Sequence, residues 1–394
     1  MSERYAELID AIAGQPLPQA LIDLDAFDAN LAAVAQRAAG KPIRLASKSL
    51  RVPALLRRAL DYGPAYRGIL AFSLIEAVGL WRQGFDDIVV AYPSCQPAAL
   101  AQLAQAVATG ANIVAMADCS SHLGALQAAA EAANTRLPIA FDLDMSMDLP
   151  GLRFGVYRSP LDSADKVMAL HGELARYQRL QLVGVMGYEA QIAGLGDAVP
   201  GKGLENLAVR ALKQWAIPRI AARRQAMVDA LRSAGAELRF VNGGGSGSIE
   251  STGQDRSVSE FGLGSALYTP TLFDQYRAFR HLPAAFFALE ACRRSDASHL
   301  TCQGGGYIGS GASSRHKLPT PVWPAGLQLE GNEGAGEVQT PVTGAAPYPI
   351  GHAILFRPAK AGEFLDRFAE VACIAGQRAV ERMPTYRGLG WCLF

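Results

Sequence analysis

Apolar residues along this chain fall into short unbroken runs, and between the runs they recur every three to four positions. The runs Ile43 to Ser47, Gly68 to Phe72, Asp87 to Tyr92, Asn112 to Ala117, Pro138 to Leu143, Leu182 to Tyr188, Leu238 to Asn242 and Ser257 to Leu263 read as eight strands. The Ala- and Leu-rich stretches between them, for example Pro53 to Tyr62, Pro97 to Thr109, Ser120 to Ala133, Lys166 to Tyr177 and Asn206 to Ser233, read as helices. Unbroken runs are what parallel strands buried on both faces require. Eight of them separated by helices predict an α/β chain built on a (β/α)8 TIM-type barrel, with a doubly wound open sheet as the structural alternative. Ahead of the series, Met1 to Gly14 has the pattern of an acidic and apolar helix. Ala20 to Leu24 is strand-like, and Asp25 or Asp28 is placed to cap a helix over Ala26 to Ala39.

From about Phe286 the texture changes. Short apolar runs are broken by Gly and Pro, as in Gln303 to Tyr307, Leu318 to Pro321, Gly331 to Gly336 and Ala345 to Gly351. Such punctuation predicts a second, mainly β domain, with which the Ala20 to Leu24 run pairs. The boundaries expected are 25–275 for the barrel and 1–24 plus 276–394 for the β domain. Within the latter, Asp366 to Met383 has the one long helical pattern, and Phe364, Phe368 and Val371 are core candidates.

Composition narrows the partners. A chain of 394 residues that is 50% hydrophobic has ample material for a large core, and a formal net charge of +1 gives no footprint for nucleic acid or an anionic membrane. A small-molecule ligand is the better expectation. No apolar run is long enough to span a bilayer, and the amino terminus lacks a basic n-region and a long apolar core, so the cytoplasm is expected. The six cysteines, Cys95, Cys119, Cys292, Cys302, Cys373 and Cys392, form no C-x-x-C pair and read as reduced buried thiols rather than a disulfide frame or a zinc site.

In a barrel, functional groups belong where strands end. The first strand delivers Lys48, whose amine can form a Schiff base with a carbonyl cofactor, although a lone lysine there is also an ordinary surface residue. Strand five is followed by Asp142 to Val156, which carries Arg153, and strand six ends in Tyr188 and Glu189. Strand seven runs into Asn242, Gly243, Gly244, Gly245 and Ser246, whose main-chain N–H groups suit a phosphate. Strand eight contributes Glu260 to Gly264. An amine, an arginine, a tyrosine and a phosphate cradle together outline a pyridoxal phosphate site.

The sequence resembles the fold-type III pyridoxal-phosphate enzymes of the alanine racemase N-terminal-domain superfamily. It is most similar to the D-threonine aldolase and D-serine dehydratase branch, which includes amino acid deaminase/aldolase sequences. The resemblance is carried by Leu21 to Asn30, the run to Lys48, Arg153-Phe154-Gly155-Val156, Val241 to Ser246 and Glu260 to Gly264. It implies that Lys48 forms the Schiff base, that Arg153 lies near the cofactor phenolate, that Tyr188 lines the pocket, and that the protein is a homodimer. Glu260 is a candidate for the pyridine nitrogen, or else a structural residue at the end of strand eight. The reaction implied is lyase chemistry on a β-hydroxy-α-amino acid, of D configuration by resemblance alone: retro-aldol cleavage first, β-elimination second. Further alternatives are an amino acid racemase, with Tyr307 as opposite-face base, and a non-catalytic cofactor-binding protein.

One departure stands out. The resembling branch carries a divalent-metal pair in a Pro-x-His-x-Cys or Pro-x-His-x-Asp pattern, and the matching stretch here is Pro358-Ala359-Lys360-Ala361-Gly362-Glu363. An ammonium and a glycine are not metal ligands, so that metal is not carried over. Lys360 is a candidate for supplying its charge or proton relay, assisted by Glu333 or Glu337; a surface lysine paired with a glutamate is the alternative. The histidines form no i, i+4 pair; most read as surface or helix-end residues, His316 as a candidate for an acidic substrate group, and His352 as close enough to Lys360 to share a hairpin.

Overall fold

A computed structural model describes residues 1–344 and 348–393, so part of the Ala345 to Gly351 stretch lies outside the described residues. The chain separates into two compact units. One comprises Met1–Val34, Lys48–Arg57 and Ser265–Cys392; the other is chiefly Ala35–Ser47 and Arg58–Gly264.

The second of these is a closed barrel. Its strands are β1 Ile43–Ala46, β2 Tyr66–Ala71, β3 Ile88–Val90, β4 Ile113–Ala117, β5 Leu137–Asp142, β6 Leu180–Gly187, β7 Phe240–Gly243 and β8 Glu260–Leu263. Each pairs in parallel with its successor, and β8 closes on β1 through Phe261 opposite Ile43 and Leu263 opposite Leu45. The eight runs anticipated from the pattern are therefore the barrel staves, and the open sheet is ruled out by closure. Val89, Val114, Met116, Ala140, Val183, Met186 and Phe240 form one buried cluster. Burial on both sides of each stave explains why the runs are unbroken. Helices Leu74–Arg82, Pro97–Ala108, Ser120–Ala132, Ala164–Glu173 and Gly203–Ser233 lie between strands.

The other unit centres on a mixed sheet of nine strands. The Gln19–Asp23 strand lies inside it, antiparallel to Ala285–Arg294 and parallel to Glu370–Ala375, as its sequence suggested. Tyr5 and Leu8 from the Ser2–Asp10 helix pack with Leu21, Phe286 and Ile374. Two expectations are corrected here. The helix after this strand starts at Leu24, and its first turn is capped by Asp23, whose Oδ1 accepts from the N–H of Asp25 at 3.1 Å and of Ala26 at 3.2 Å. Neither Asp25 nor Asp28 is the cap, because the cap must precede the first helical residue. Asp366 to Met383 is not a helix. It is an antiparallel hairpin of Glu370–Ala375 and Arg378–Pro384 turning at Gly376, with φ +56°. Val371, Ala372, Cys373 and Ile374 are all buried, and an apolar run of that length satisfies a doubly covered strand as well as a helix turn. Phe364, Phe368 and Val371 are core, as expected.

Candidate functional site

β1 ends at Ala46, and the chain passes at once into a tight turn, Ser47–Ser49, that carries Lys48. Ser47 Oγ donates to the Leu70 carbonyl of β2 at 3.2 Å, which holds the start of the turn on the barrel rim. The rest is built into the other unit. Tyr268, fully buried, donates its hydroxyl to the Leu50 carbonyl at 2.9 Å, and Ser49 Oγ lies 2.9 Å from Ser265 Oγ. Gly362 packs so closely that a Cβ there would lie 2.3 Å from the Lys48 carbonyl oxygen.

At the carboxyl end of β6, Tyr188 is half-buried, and burial pushes its hydroxyl up to about 12. The Arg158 guanidinium lies 5.5 Å from the Tyr188 ring centre and 5.5 Å from that of Tyr92. The loop after β7 packs under this ring: a Cβ on Gly245 would lie 3.1 Å from Ala193 Cβ and 3.2 Å from Tyr188 Cε2. Gly244 adopts φ +75°, a conformation that favours glycine. The loop is braced from below. Glu189 accepts from the Gly244 N–H at 3.2 Å, from Arg224 Nη2 at 2.7 Å and from the Thr252 hydroxyl, while the Gly245 N–H donates to Ser248 Oγ at 3.2 Å. Arg224 is itself buried between Glu189 and Asp255. Ser246 offers its carbonyl to Arg37 at 3.0 Å.

Arg153 stands on a hairpin of Met147–Leu149 and Leu152–Phe154 that follows β5. Its guanidinium binds Asp144 at 2.6 Å and Asp148 at 3.1 Å and lies 4.8 Å from the Tyr157 ring centre. At the end of β5 itself, burial pushes the Asp142 carboxyl up to about 7, with Asp118 and Asp144 adding to the rise and Arg158 opposing it.

Within the barrel, Glu260 lies away from this end. Glu260 opens β8, and both its oxygens are taken by Arg44, at 2.7 Å and 3.0 Å, with Asn242 Nδ2 a third donor at 2.9 Å. Arg44 continues to Asp87, which precedes β3, so this network faces the amino-terminal end of the staves. Burial draws the Arg44 guanidinium down, but Glu260 and Asp87 more than offset it and hold it above its ordinary value. The contacts of Glu260, and the side-chain amide of Asn242, are those of a barrel-closing ion pair. In the β unit, Tyr307 packs edge-on against Phe287 at 4.8 Å and Phe368 at 5.3 Å, and burial raises its hydroxyl. Lys360 donates to Ser310 Oγ at 2.8 Å and to Glu363 at 3.1 Å, so its carboxylate partner is Glu363 rather than Glu333 or Glu337. Burial raises Glu363, but Ser310 and Lys360 outweigh it and hold the carboxyl low. His352 and Lys360 lie beyond opposite ends of the Ala353–Arg357 strand and share no hairpin; His316 is exposed in the Arg315–Lys317 turn. Cys95 and Cys392 are exposed, which corrects the expectation that all the thiols are buried.

One cluster escaped the sequence reading. Asp118, Cys119 and His122 bring a carboxylate oxygen, a thiol sulfur and a ring nitrogen within 4.8 Å of one another just past β4. The signal was present: a strand end followed by Asp-Cys-x-x-His places the second and third of these at the cap and in the first turn of the Ser120–Ala132 helix.

Among known proteins, the 3-hydroxy-D-aspartate aldolase of Paracoccus denitrificans (strain Pd 1222) is 24% identical over 253 residues, which are 63% of this chain and 59% of the aldolase, so the match spans less than two thirds of that protein. The crystal structure of D-threonine aldolase from Filomicrobium marinum superimposes with a TM-score of 0.81 at 20% identity, covering 96% of each chain. D-threo-3-hydroxyaspartate dehydratase from Delftia sp. HT23 gives 0.77 at 19% identity over 95% of this chain and 99% of that one. At these identities the superpositions establish the shared fold, barrel and β domain alike. The alanine racemase, N-terminal domain family matches residues 22–271, a span that contains all eight staves and more than half of the sequence, and the chain belongs to that family.

Proposed function

We propose that this protein is a pyridoxal-phosphate-dependent lyase that cleaves the Cα–Cβ bond of a β-hydroxy-α-amino acid of D configuration. The observation that carries the reading is the pair of features at the barrel's carboxyl rim: Lys48 one residue beyond Ser47, and a glycine main chain packed without side chains beneath Tyr188. An amine and a close-packed amide loop are the donors that a phosphate-bearing aldehyde needs. The activities for which the relatives are named, 3-hydroxy-D-aspartate aldolase, D-threonine aldolase and D-threo-3-hydroxyaspartate dehydratase, support both the substrate class and the lyase chemistry.

In this reading Lys48 holds the cofactor through its amine, and the loop from Asn242 to Ser246 takes the phosphate, which would displace Glu189 and Ser248 as acceptors from the Gly244 and Gly245 N–H groups. When bound, the cofactor supplies an electron sink for the pair released at the substrate Cα. Tyr188, with Arg158 beside its ring, would line the cofactor's pocket, and Arg153, held by Asp144 and Asp148, would lie near its phenolate oxygen. Lys360, held by Ser310 and Glu363, supplies a fixed ammonium that polarises the substrate β-hydroxyl. Neither Lys360 nor Gly362 offers a metal ligand, and a side chain at Gly362 would run into the Lys48 carbonyl, so no metal is proposed for this segment. A homodimer in the cytoplasm is part of the proposal.

The test starts from purified protein treated with borohydride and mapped by peptide mass spectrometry. Cofactor fixed on Lys48 supports the reading, and no labelled lysine after cofactor is added overturns it. D-threonine, D-phenylserine, D-3-hydroxyaspartate and D-serine are then compared with and without chelator. Glycine plus an aldehyde is the expected outcome. A 2-oxo acid plus ammonia would instead establish the dehydratase, an inverted amino acid the racemase, and cofactor binding without turnover the storage protein. Lys360→Met is expected to lower kcat while cofactor content is retained.

A further inference from the structure

Just past β4, Asp118 Oδ1 lies 2.9 Å from His122 Nδ1, and Cys119 Sγ lies 3.3 Å from the same nitrogen. The Asp118 main-chain N–H also points at it, at 3.4 Å. A proton on Nδ1 satisfies the Asp118–His122 pair as an ordinary hydrogen bond, but that bond makes no use of the Cys119 sulfur beside it. A carboxylate oxygen, a thiol sulfur and a ring nitrogen within 4.8 Å of one another are three ligand atoms that one divalent cation can engage together.

We propose that Asp118, Cys119 and His122 bind a borderline-soft divalent cation, zinc in the first instance, as a site in the barrel separate from the Pro358 to Glu363 segment. The donor set selects the ion: thiolate and imidazole favour zinc and its neighbours over magnesium and calcium. Metal–ligand bonds of about 2.0–2.3 Å in a tetrahedron put neighbouring ligand atoms roughly 3.3–3.8 Å apart, so the Asp118–His122 and Cys119–His122 separations need to open by only a few tenths of an ångström. The backbone already holds the ligands in place. Asp118 follows the last residue of a stave, Cys119 caps the Ser120–Ala132 helix in extended conformation, with φ −156° and ψ 165°, and His122 lies in its first turn. Binding releases the Cys119 thiol proton to solvent. The ion would tie the end of β4 to the helix that follows it.

Metal-stripped protein is titrated with cobalt(II), and the difference spectrum is followed in the visible region and at the thiolate charge-transfer band. Saturation near about one cobalt per chain, with a thiolate band, is expected. Cys119→Ser is expected to abolish the band. His122→Ala should weaken binding by more than the roughly 10–100-fold that loss of an outer-shell partner costs. Absence of the band in the unmodified protein, or its persistence in Cys119→Ser, overturns the proposal. Should either variant fail to fold, zinc protection of Cys119 from alkylation is measured on the unmodified chain by peptide mass spectrometry; labelling that zinc does not slow likewise overturns it. Neither readout depends on turnover or on the cofactor.

Discussion

At the scale of the residue, the lysine turn is defined as much by what Gly362 lacks as by what surrounds it. Gly362 has φ −86° and ψ −15°, a backbone open to any residue, so its constraint is one of space alone. A Cβ would lie 2.3 Å from the Lys48 oxygen and within 3.0 Å of Ser49 main-chain atoms, and main chain cannot swing away as a side-chain tip would. Gly362→Ala is therefore expected to cost about 1–3 kcal/mol and to lower the fraction of Lys48 labelled by borohydride. Gly124→Ala, at a helical glycine with nothing within 4 Å, serves as control and should be neutral or slightly stabilising in a thermal melt. Equal effects from the two substitutions would refute the packing account.

At the scale of the element, β1 and β8 close the barrel through Arg44 and Glu260, buried with side-chain exposures of 3% and 1%. Breaking a buried pair leaves the other charge uncompensated, which is why it costs more than the pair itself contributes. Glu260→Gln is expected to destabilise by about 3 kcal/mol, the low end of that range because Asp87 still faces Arg44, while the absorbance of bound cofactor stays where it is. An unshifted melting temperature together with a displaced absorbance band would instead return Glu260 to the pyridine nitrogen. The Glu370–Ala375 and Arg378–Pro384 hairpin illustrates the limit of reading single elements. Four consecutive apolar residues carry no period, so only the strands beside them decide the outcome.

At the scale of the whole molecule, Lys48–Arg57 is grouped with residues 265–392 and not with the barrel strand that precedes it. Its partners come from far along the chain: Tyr386 N–H donates to the Arg51 carbonyl at 2.9 Å, and Arg51 pairs with Asp366. A chain ending at Gln275 keeps the barrel staves but loses these contacts. Trypsin is accordingly expected to cut such a chain at Lys48, Arg51 or Arg57 while the full chain resists at those bonds, because cleavage needs locally opened backbone. Equal resistance in both chains would show that the segment is held by the barrel alone.

The barrel was legible in the sequence because a parallel stave buried on both faces must be apolar throughout, and eight such runs leave little else to build. That Lys48, Arg153, Tyr188 and the 243–245 glycines each come after or at the end of a barrel strand was legible from the same count, since chain order alone sets it. Partners did not follow. That Glu260 belongs to Arg44, that Lys360 belongs to Glu363, and that Gly362 makes room for the lysine turn are facts about segments brought together from distant parts of the chain. The Asp118, Cys119 and His122 cluster lies between these cases. Its residues are near neighbours in sequence, but only the abrupt change from strand to helix turns their side chains toward one point. Local pattern determines which elements form, because burial acts on each residue's own polarity; tertiary structure decides which charges and lone pairs meet, because that depends on the path of the whole chain.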